Sequence, residues 1–171
     1  MAIPNRRVYF DSSVYVAALI GESEQHHAVA LAAIDHAQNG GLIAVTSGLV
    51  HAEVLGSGPV RAGQGVQAPE RARRIAKCKE FFNRLDFEFV DLTRLVGREA
   101  ARLAAQYHLK GADACHVSMA ALSECSELQT LDEDQLKIGG SIEGLNVIHP
   151  RSPMEAPGSL FVREDEGDLD R

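Results

Sequence analysis

The apolar run Val8-Tyr9-Phe10, entered through Arg7, stops at Asp11 and is followed by Ser12-Ser13, which predicts a buried strand ending at a helix N-cap. Val14 to Ile20 continues as a short helix. From Glu22 onward, Ala28, Val29, Ala32, Ala33 and Ala37 recur at helical spacing until Asn39-Gly40-Gly41 ends the pattern. Leu42 to Thr46 reads as a second strand, and Ser47 opens a helix carrying Leu49, Val50, Glu53 and Val54. Gly56 to Pro69 is rich in Gly, Pro, Gln and small residues, the composition of a long loop. Glu70 to Leu85 is amphipathic, with Ile75, Cys78, Phe81, Phe82 and Leu85 on its apolar side and Arg71, Arg73, Arg74, Lys77 and Lys79 mostly outside as a solvated basic face.

Phe87 to Val90 is a third strand, followed by a helix from Thr93 to Tyr107 whose expected buried residues are Leu95, Val96, Ala100, Leu103 and Ala104. A helix from Asp113 to about Ser123 is almost entirely small and apolar and should be central. Leu128 to Leu131 forms a fourth strand ending at Asp132, and Leu145 to Ile148 a fifth. Strands that are apolar on both faces and alternate with helices define an α/β fold: a central parallel sheet of about five strands sandwiched between two layers of helices.

Composition narrows this further. A chain of 171 residues suits one compact domain, expected over residues 1–150 and followed by an acidic tail, 151–171, that holds Glu164, Asp165, Glu166, Asp168 and Asp170. With 45% hydrophobic residues, 5% aromatics and no Trp, the core is one of Ala, Leu, Val and Ile. Cys78, Cys115 and Cys125 lack CxxC spacing and read as buried thiols in a reducing compartment, the cytoplasm. No eighteen apolar residues run together, so no membrane span is expected. The formal charge of −7 argues against coating nucleic acid by bulk attraction, although a bound cation would cancel part of it.

The chemistry is concentrated in four acids. Asp11 and Asp132 stand at the carboxyl ends of strands, where parallel α/β folds gather their ligands. Asp113 lies in the first turn of a helix, where the dipole favours an ionised carboxylate. Glu53 sits among apolar neighbours and points inward, so it requires a partner. Four converging carboxylates raise one another's pKa unless a cation is present. Mg²⁺ or Mn²⁺ meets that need, since both prefer oxygen ligands, whereas no His or Cys set has zinc spacing. Each acid also has a structural reading alone, as cap, dipole partner, solvated residue or turn former. Their joint pattern is what points to one divalent-metal site. His116, one turn after Asp113, reads as a packed or hydrogen-bonding helix residue.

Two other chemistries fail on the residues. His51-Ala52-Glu53 matches the H-x-E of zinc deaminases but lacks the downstream Pro-Cys-x-x-Cys. An aspartyl phosphatase needs an Asp two residues after Asp11, and position 13 is Ser.

Val8-Tyr9-Phe10-Asp11-Ser12-Ser13, Glu53 in its helix, Gly111-Ala112-Asp113-Ala114-Cys115-His116-Val117-Ser118-Met119-Ala120 and Thr130-Leu131-Asp132 together resemble the PIN-domain ribonucleases, in particular VapC-type toxins of bacterial toxin–antitoxin pairs. The resemblance spans roughly residues 7–150, the most specific stretch being that around Asp113. It implies a PIN-like three-layer sandwich and an endoribonuclease whose catalytic metal ligands are Asp11, Glu53, Asp113 and Asp132, with Ser12 or Ser13 and Thr130 supplying hydroxyls. It also implies an RNA substrate, a homodimer and a cognate antitoxin. The loop at 56–69 and the acidic tail look longer than is typical. Glu133 and Asp134 follow Asp132, leaving three acids for the fourth position. The competing class is a non-catalytic PIN-like module that binds RNA or protein.

Overall fold

The computed structural model describes residues 6–20, 25–61 and 67–151. Its elements follow in the order β1 (Arg7–Phe10), α1 (Ser12–Leu19), α2 (His27–Gln38), β2 (Ile43–Ser47), α3 (Gly48–Gly56), α4 (Gly58–Arg61), α5 (Ala68–Arg84), β3 (Glu88–Val90), α6 (Arg94–Tyr107), α7 (Gly111–Leu122), β4 (Glu127–Gln129), α8 (Glu133–Leu136) and β5 (Asn146–Ile148). The expected start of the second helix near Glu22 and the expected acidic tail fall on residues 21–24 and 152–171, outside the described residues.

All strand pairs are parallel, in the order β3-β2-β1-β4-β5. β1 is central, with Val8 paired to Ala44 on one side and Glu127 on the other. Successive residues of a strand face opposite layers. Tyr9 accordingly meets His116 of α7 on one face, while Phe10 packs edge-on against Tyr15 of α1 on the other. Val8, Tyr9 and Phe10 are completely buried, as an apolar strand covered by helices on both faces must be. Chain leaves β1 toward β2 and leaves β4 toward β5, in opposite directions across the sheet. A crevice therefore opens between the carboxyl ends of β1 and β4.

α7 is the buried helix that its small apolar sequence predicts: Ala114, His116, Val117, Ser118, Met119 and Ala120 are all inside. Across it lies α6, capped by the Thr93 hydroxyl, which accepts from the Val96 amide at 3.3 Å. The buried stripe of α6 is Val96, Ala100 and Leu103, spaced by four and three residues. Cys78 and Cys125 are buried and Cys115 half-buried, all free, and burial pushes the Cys125 thiol up to about 12, which keeps it unreactive.

Three expectations need correction. Leu95 is 61% exposed rather than buried, because one residue's rotation about the helix axis carries it off the stripe that Val96 begins. The segment 56–69 is not one long loop. Ser57 ends α3 and its hydroxyl accepts from the Val60 amide at 3.4 Å, Pro59 occupies an early helical position, and α4 follows with Val60 fully buried. Residues 62–66 of that segment lie outside the described residues. The fourth strand stops at Gln129, and Asp132 instead caps α8, an element with no apolar periodicity to announce it.

A buried charge fastens the sheet. Glu127 is 5% exposed on β4 and accepts from Arg6 at 2.6 Å, from Arg151 and from the Gln129 amide at 3.2 Å. One carboxylate thus ties the segment entering β1 to the segment leaving β5.

The burial pattern of α6 gives a direct test. Leu103→Ala should destabilise by about 2–5 kcal/mol, the usual range for emptying a filled core position. Leu95→Ala should stay within about 0.5 kcal/mol, as surface substitutions do. Urea denaturation of the two variants measures the difference, and equal losses would contradict the orientation of α6.

Candidate functional site

Asp11 leaves β1 at the mouth of the crevice and is only 3% exposed. Its Oδ2 accepts from the Ser13 amide at 3.2 Å, the Ser13 hydroxyl at 2.7 Å and the Thr130 hydroxyl at 3.1 Å. That oxygen caps α1 and fastens it to the segment after β4. The other oxygen, Oδ1, faces inward, 3.4 Å from Nε2 of His116. Capping and inward presentation, alternatives in the sequence, are shared between the two oxygens of one carboxylate.

Glu53 projects from α3, the helix that follows β2, and its Oε2 lies 2.6 Å from the same His116 nitrogen. Burial opposes ionisation of Glu53, but the hydrogen bond and charge of His116, assisted by Ser12, outweigh it and hold the carboxyl below its ordinary range. His116 is 1% exposed. Burial alone would lower its pKa. The Glu53 hydrogen bond and the charges of Asp11, Glu53 and Asp113 reverse that and raise it. On the far side of the ring, Nδ1 lies 3.0 Å from the Tyr9 hydroxyl, which lies 2.8 Å from the Ser47 hydroxyl. The Ser47 hydroxyl in turn accepts from the Val50 amide and caps α3, the helix that carries Glu53.

Asp113 stands in the first turn of α7 with a buried Oδ2 that has no hydrogen-bond partner. Its pKa is raised, first by burial, then by the charges of Asp132 and Asp11, against smaller opposing effects from Lys110 and a side-chain hydrogen bond with Gln135. Asp132 uses Oδ1 to cap α8, accepting from the Asp134 amide at 2.8 Å and the Gln135 amide at 3.1 Å. Its own amide donates to the Thr130 hydroxyl at 3.0 Å. Among the three consecutive acids, Glu133 is exposed and Asp134 is engaged with Lys137 at 2.7 Å and Lys110 at 3.7 Å. Asp132 is the one whose charge reaches Asp113.

Ligand atoms of Asp11, Glu53 and His116 lie within 4.8 Å of one another, while Asp113 and Asp132 approach the group through their charges. An unpartnered carboxylate oxygen and mutually repelling acids suit a divalent cation, which would satisfy the first and offset the second. The sequence reading missed the line Ser47-Tyr9-His116. Two signals were available: His116 falls three residues after Asp113 on one helical face, and Tyr9 falls two before Asp11 on one strand face.

The paired shifts fix a pH dependence for the metal-free protein. His116 titrates above its ordinary 6.5, so its contribution is complete below 6.5 and fades as pH rises through the folded value. Glu53 titrates below its ordinary 4.5, so its contribution is complete above 4.5 and fades as pH falls through the folded value. Glu53→Gln should therefore cost most stability between 4.5 and 6.5 and less on either side. Denaturation in EDTA across that range checks it, and a cost independent of pH would exclude the coupling.

Comparison with known proteins adds the following. The family model described as PIN domain matches residues 8–141. A chain of a toxin–antitoxin complex from Klebsiella pneumoniae superposes with TM-score 0.58 at 18% identity, covering 85% of this chain and 98% of that one. The Mycobacterium tuberculosis toxin VapC20, described as cleaving the sarcin–ricin loop, gives TM-score 0.58 at 14% identity, covering 74% and 91%. VapBC-5 of the same organism, a member of the VapBC family of toxin–antitoxin systems, gives TM-score 0.53 at 20% identity, covering 84% and 98%. No curated protein is matched by sequence.

Proposed function

The chain belongs to the PIN-domain family, and from that premise we propose that it is a divalent-metal-dependent endoribonuclease, the toxin of a toxin–antitoxin pair. The observation that carries the proposal is the gathering of acids from separate elements at one crevice: Asp11 after β1, Glu53 on the helix after β2, Asp113 on α7 and Asp132 after β4. Structural duties alone do not account for it, because the charges of Asp11 and Asp132 make ionisation of Asp113 harder and its buried oxygen stays unpaired.

In this reading Asp11, Glu53, Asp113 and Asp132 hold Mg²⁺ or Mn²⁺. When bound, such an ion lowers the pKa of a coordinated water and clamps the phosphate for in-line attack. Ser13 and Thr130 hold Asp11 by one oxygen and leave the other directed into the crevice. Lys110, exposed beside Asp113 and Asp134, supplies a cation at the rim where a phosphate backbone would pass. No covalent enzyme intermediate is required.

RNA as the substrate and an antitoxin as the partner are supported by the likeness to VapC-type toxins. The homodimer that the family resemblance implies has exposed apolar side chains to use in Phe89, Leu92 and Leu95, at 53%, 56% and 61%. No helix among the described residues is long and apolar enough to cross a membrane.

Protein purified free of any antitoxin should cut RNA with Mg²⁺ or Mn²⁺ and stop in EDTA. Asp11→Asn and Asp113→Asn should each lower the rate by at least about 100-fold, the order expected when a preorganised electrostatic contact is lost. Circular dichroism should show both folded. Undiminished cleavage by both variants would sink the assignment. No metal binding in calorimetry would favour a non-catalytic module.

A further inference from the structure

Of the side chains at the site that carry charge near neutral pH, His116 is more buried than Asp11, at 1% against 3%. His116 reaches the carboxylates through Nε2, 2.6 Å from Glu53 Oε2 and 3.4 Å from Asp11 Oδ1, and is supported from behind at Nδ1 by Tyr9. A histidine serving only to position Glu53 would need just the first of these contacts. Here Nε2 is directed between two carboxylates from different elements, its position among ligand atoms that lie within 4.8 Å of one another. A metal-bound imidazole typically has its other nitrogen donating to a fixed acceptor, which sets the tautomer and the ring plane. Tyr9 occupies that position.

The hydroxyl pair behind the ring makes the change of role possible. In the metal-free protein Nε2–H donates to Glu53, because an ionised carboxylate only accepts. Tyr9 and Ser47 hydroxyls each donate or accept, so Nδ1 finds a partner in either protonation pattern. In the imidazolium both ring nitrogens carry a proton; a cation at Nε2 would displace that proton to solvent, while the proton already on Nδ1 stays and donates to the Tyr9 oxygen, and the Tyr9 hydroxyl donates to Ser47. The ring would become neutral, with the Nε2 lone pair turned to the ion. Proton release of this kind accompanies metal binding to histidine in general.

We propose that His116 is itself a metal ligand, through Nε2, so that this site is a mixed nitrogen–oxygen centre that favours Mn²⁺ over Mg²⁺. The proposal rests on the metal-dependent reading above and adds to its four acids a donor of another type. Mg²⁺ demands oxygen and keeps its waters, whereas Mn²⁺ stands higher in the affinity order and accepts imidazole more readily.

The test is pulsed electron paramagnetic resonance of Mn²⁺ bound to the full chain, with calorimetry alongside. A directly bound imidazole gives a nitrogen coupling to the manganese electron spin. The expected result is that coupling in the native chain, its conversion to the nitrogen-15 pattern when only histidine is labelled, and its loss in His116→Asn. Mn²⁺ affinity should fall about 10-fold in that variant and Mg²⁺ affinity much less, and Tyr9→Phe should also weaken Mn²⁺ binding while the coupling persists. Histidine labelling leaves the sequence intact, so the result stands even if His116→Asn does not fold. Bound Mn²⁺ without histidine nitrogen coupling would overturn the proposal and leave the four-carboxylate reading in place. Failure of the native chain to bind Mn²⁺ at all would overturn both. Unchanged Mn²⁺ affinity in Tyr9→Phe would overturn the part assigned to the hydroxyl relay.

Discussion

One oxygen of Asp11 holds the crevice together. Through Oδ2 the carboxylate joins the first turn of α1 to Thr130 beyond β4, and so binds the two sides of the crevice to each other. That link leaves Oδ1 on the other side of the carboxylate, 3.4 Å from Nε2 of His116. The arrangement also explains why the carboxylate tolerates near-complete burial. Three donors replace the water it has lost on one side, and His116 stands on the other.

The two acids that flank Asp11 respond to burial in opposite ways for a simple reason. Glu53 has a basic partner at hydrogen-bond distance and titrates low. Asp113 has mainly other acids for neighbours, keeps an unpaired oxygen and titrates high. The site therefore divides into a satisfied half, Glu53 with His116, and an unsatisfied half, Asp113 with Asp132. In the proposed function a divalent cation would matter most to Asp113, the acid left with an unpaired oxygen. Ser47 and Tyr9 keep the satisfied half in place, since Ser47 caps the helix that carries Glu53 while Tyr9 braces the histidine.

Much of the architecture was legible because its signals are local. Val8-Tyr9-Phe10 followed by Asp11 announces both a buried strand and the cap of the next helix, and Asn39-Gly40-Gly41 announces the end of α2, where Gly40 takes a φ of +77°. The acids were legible because a charged residue at the end of an apolar strand is unusual enough to require an explanation. Leu95 was misread because the helical period tolerates either of two adjacent leucine-like positions, and only packing against α7 selects Val96. α4 and α8 were missed because four-residue helices carry no periodicity, only caps, and Ser57 and Asp132 each cap from within sequences that also read as turns.

By itself the sequence determined the class of fold, the order of its strands and helices and the inventory of acids, since alternation of apolar runs, caps and breakers depends on residues only a few places apart. Only the tertiary structure decided which side chains meet. Glu53 and His116 are separated by 63 residues and Ser13 and Thr130 by 117, and no local pattern records such pairings. Selection of Asp132 over Asp134 as the acid coupled to Asp113 is of the same kind, because it depends on Lys137 and Lys110 engaging Asp134 while the charge of Asp132 reaches Asp113. Charge interactions act through space, so their partners are fixed when the sheet closes β1 against β4 and not before.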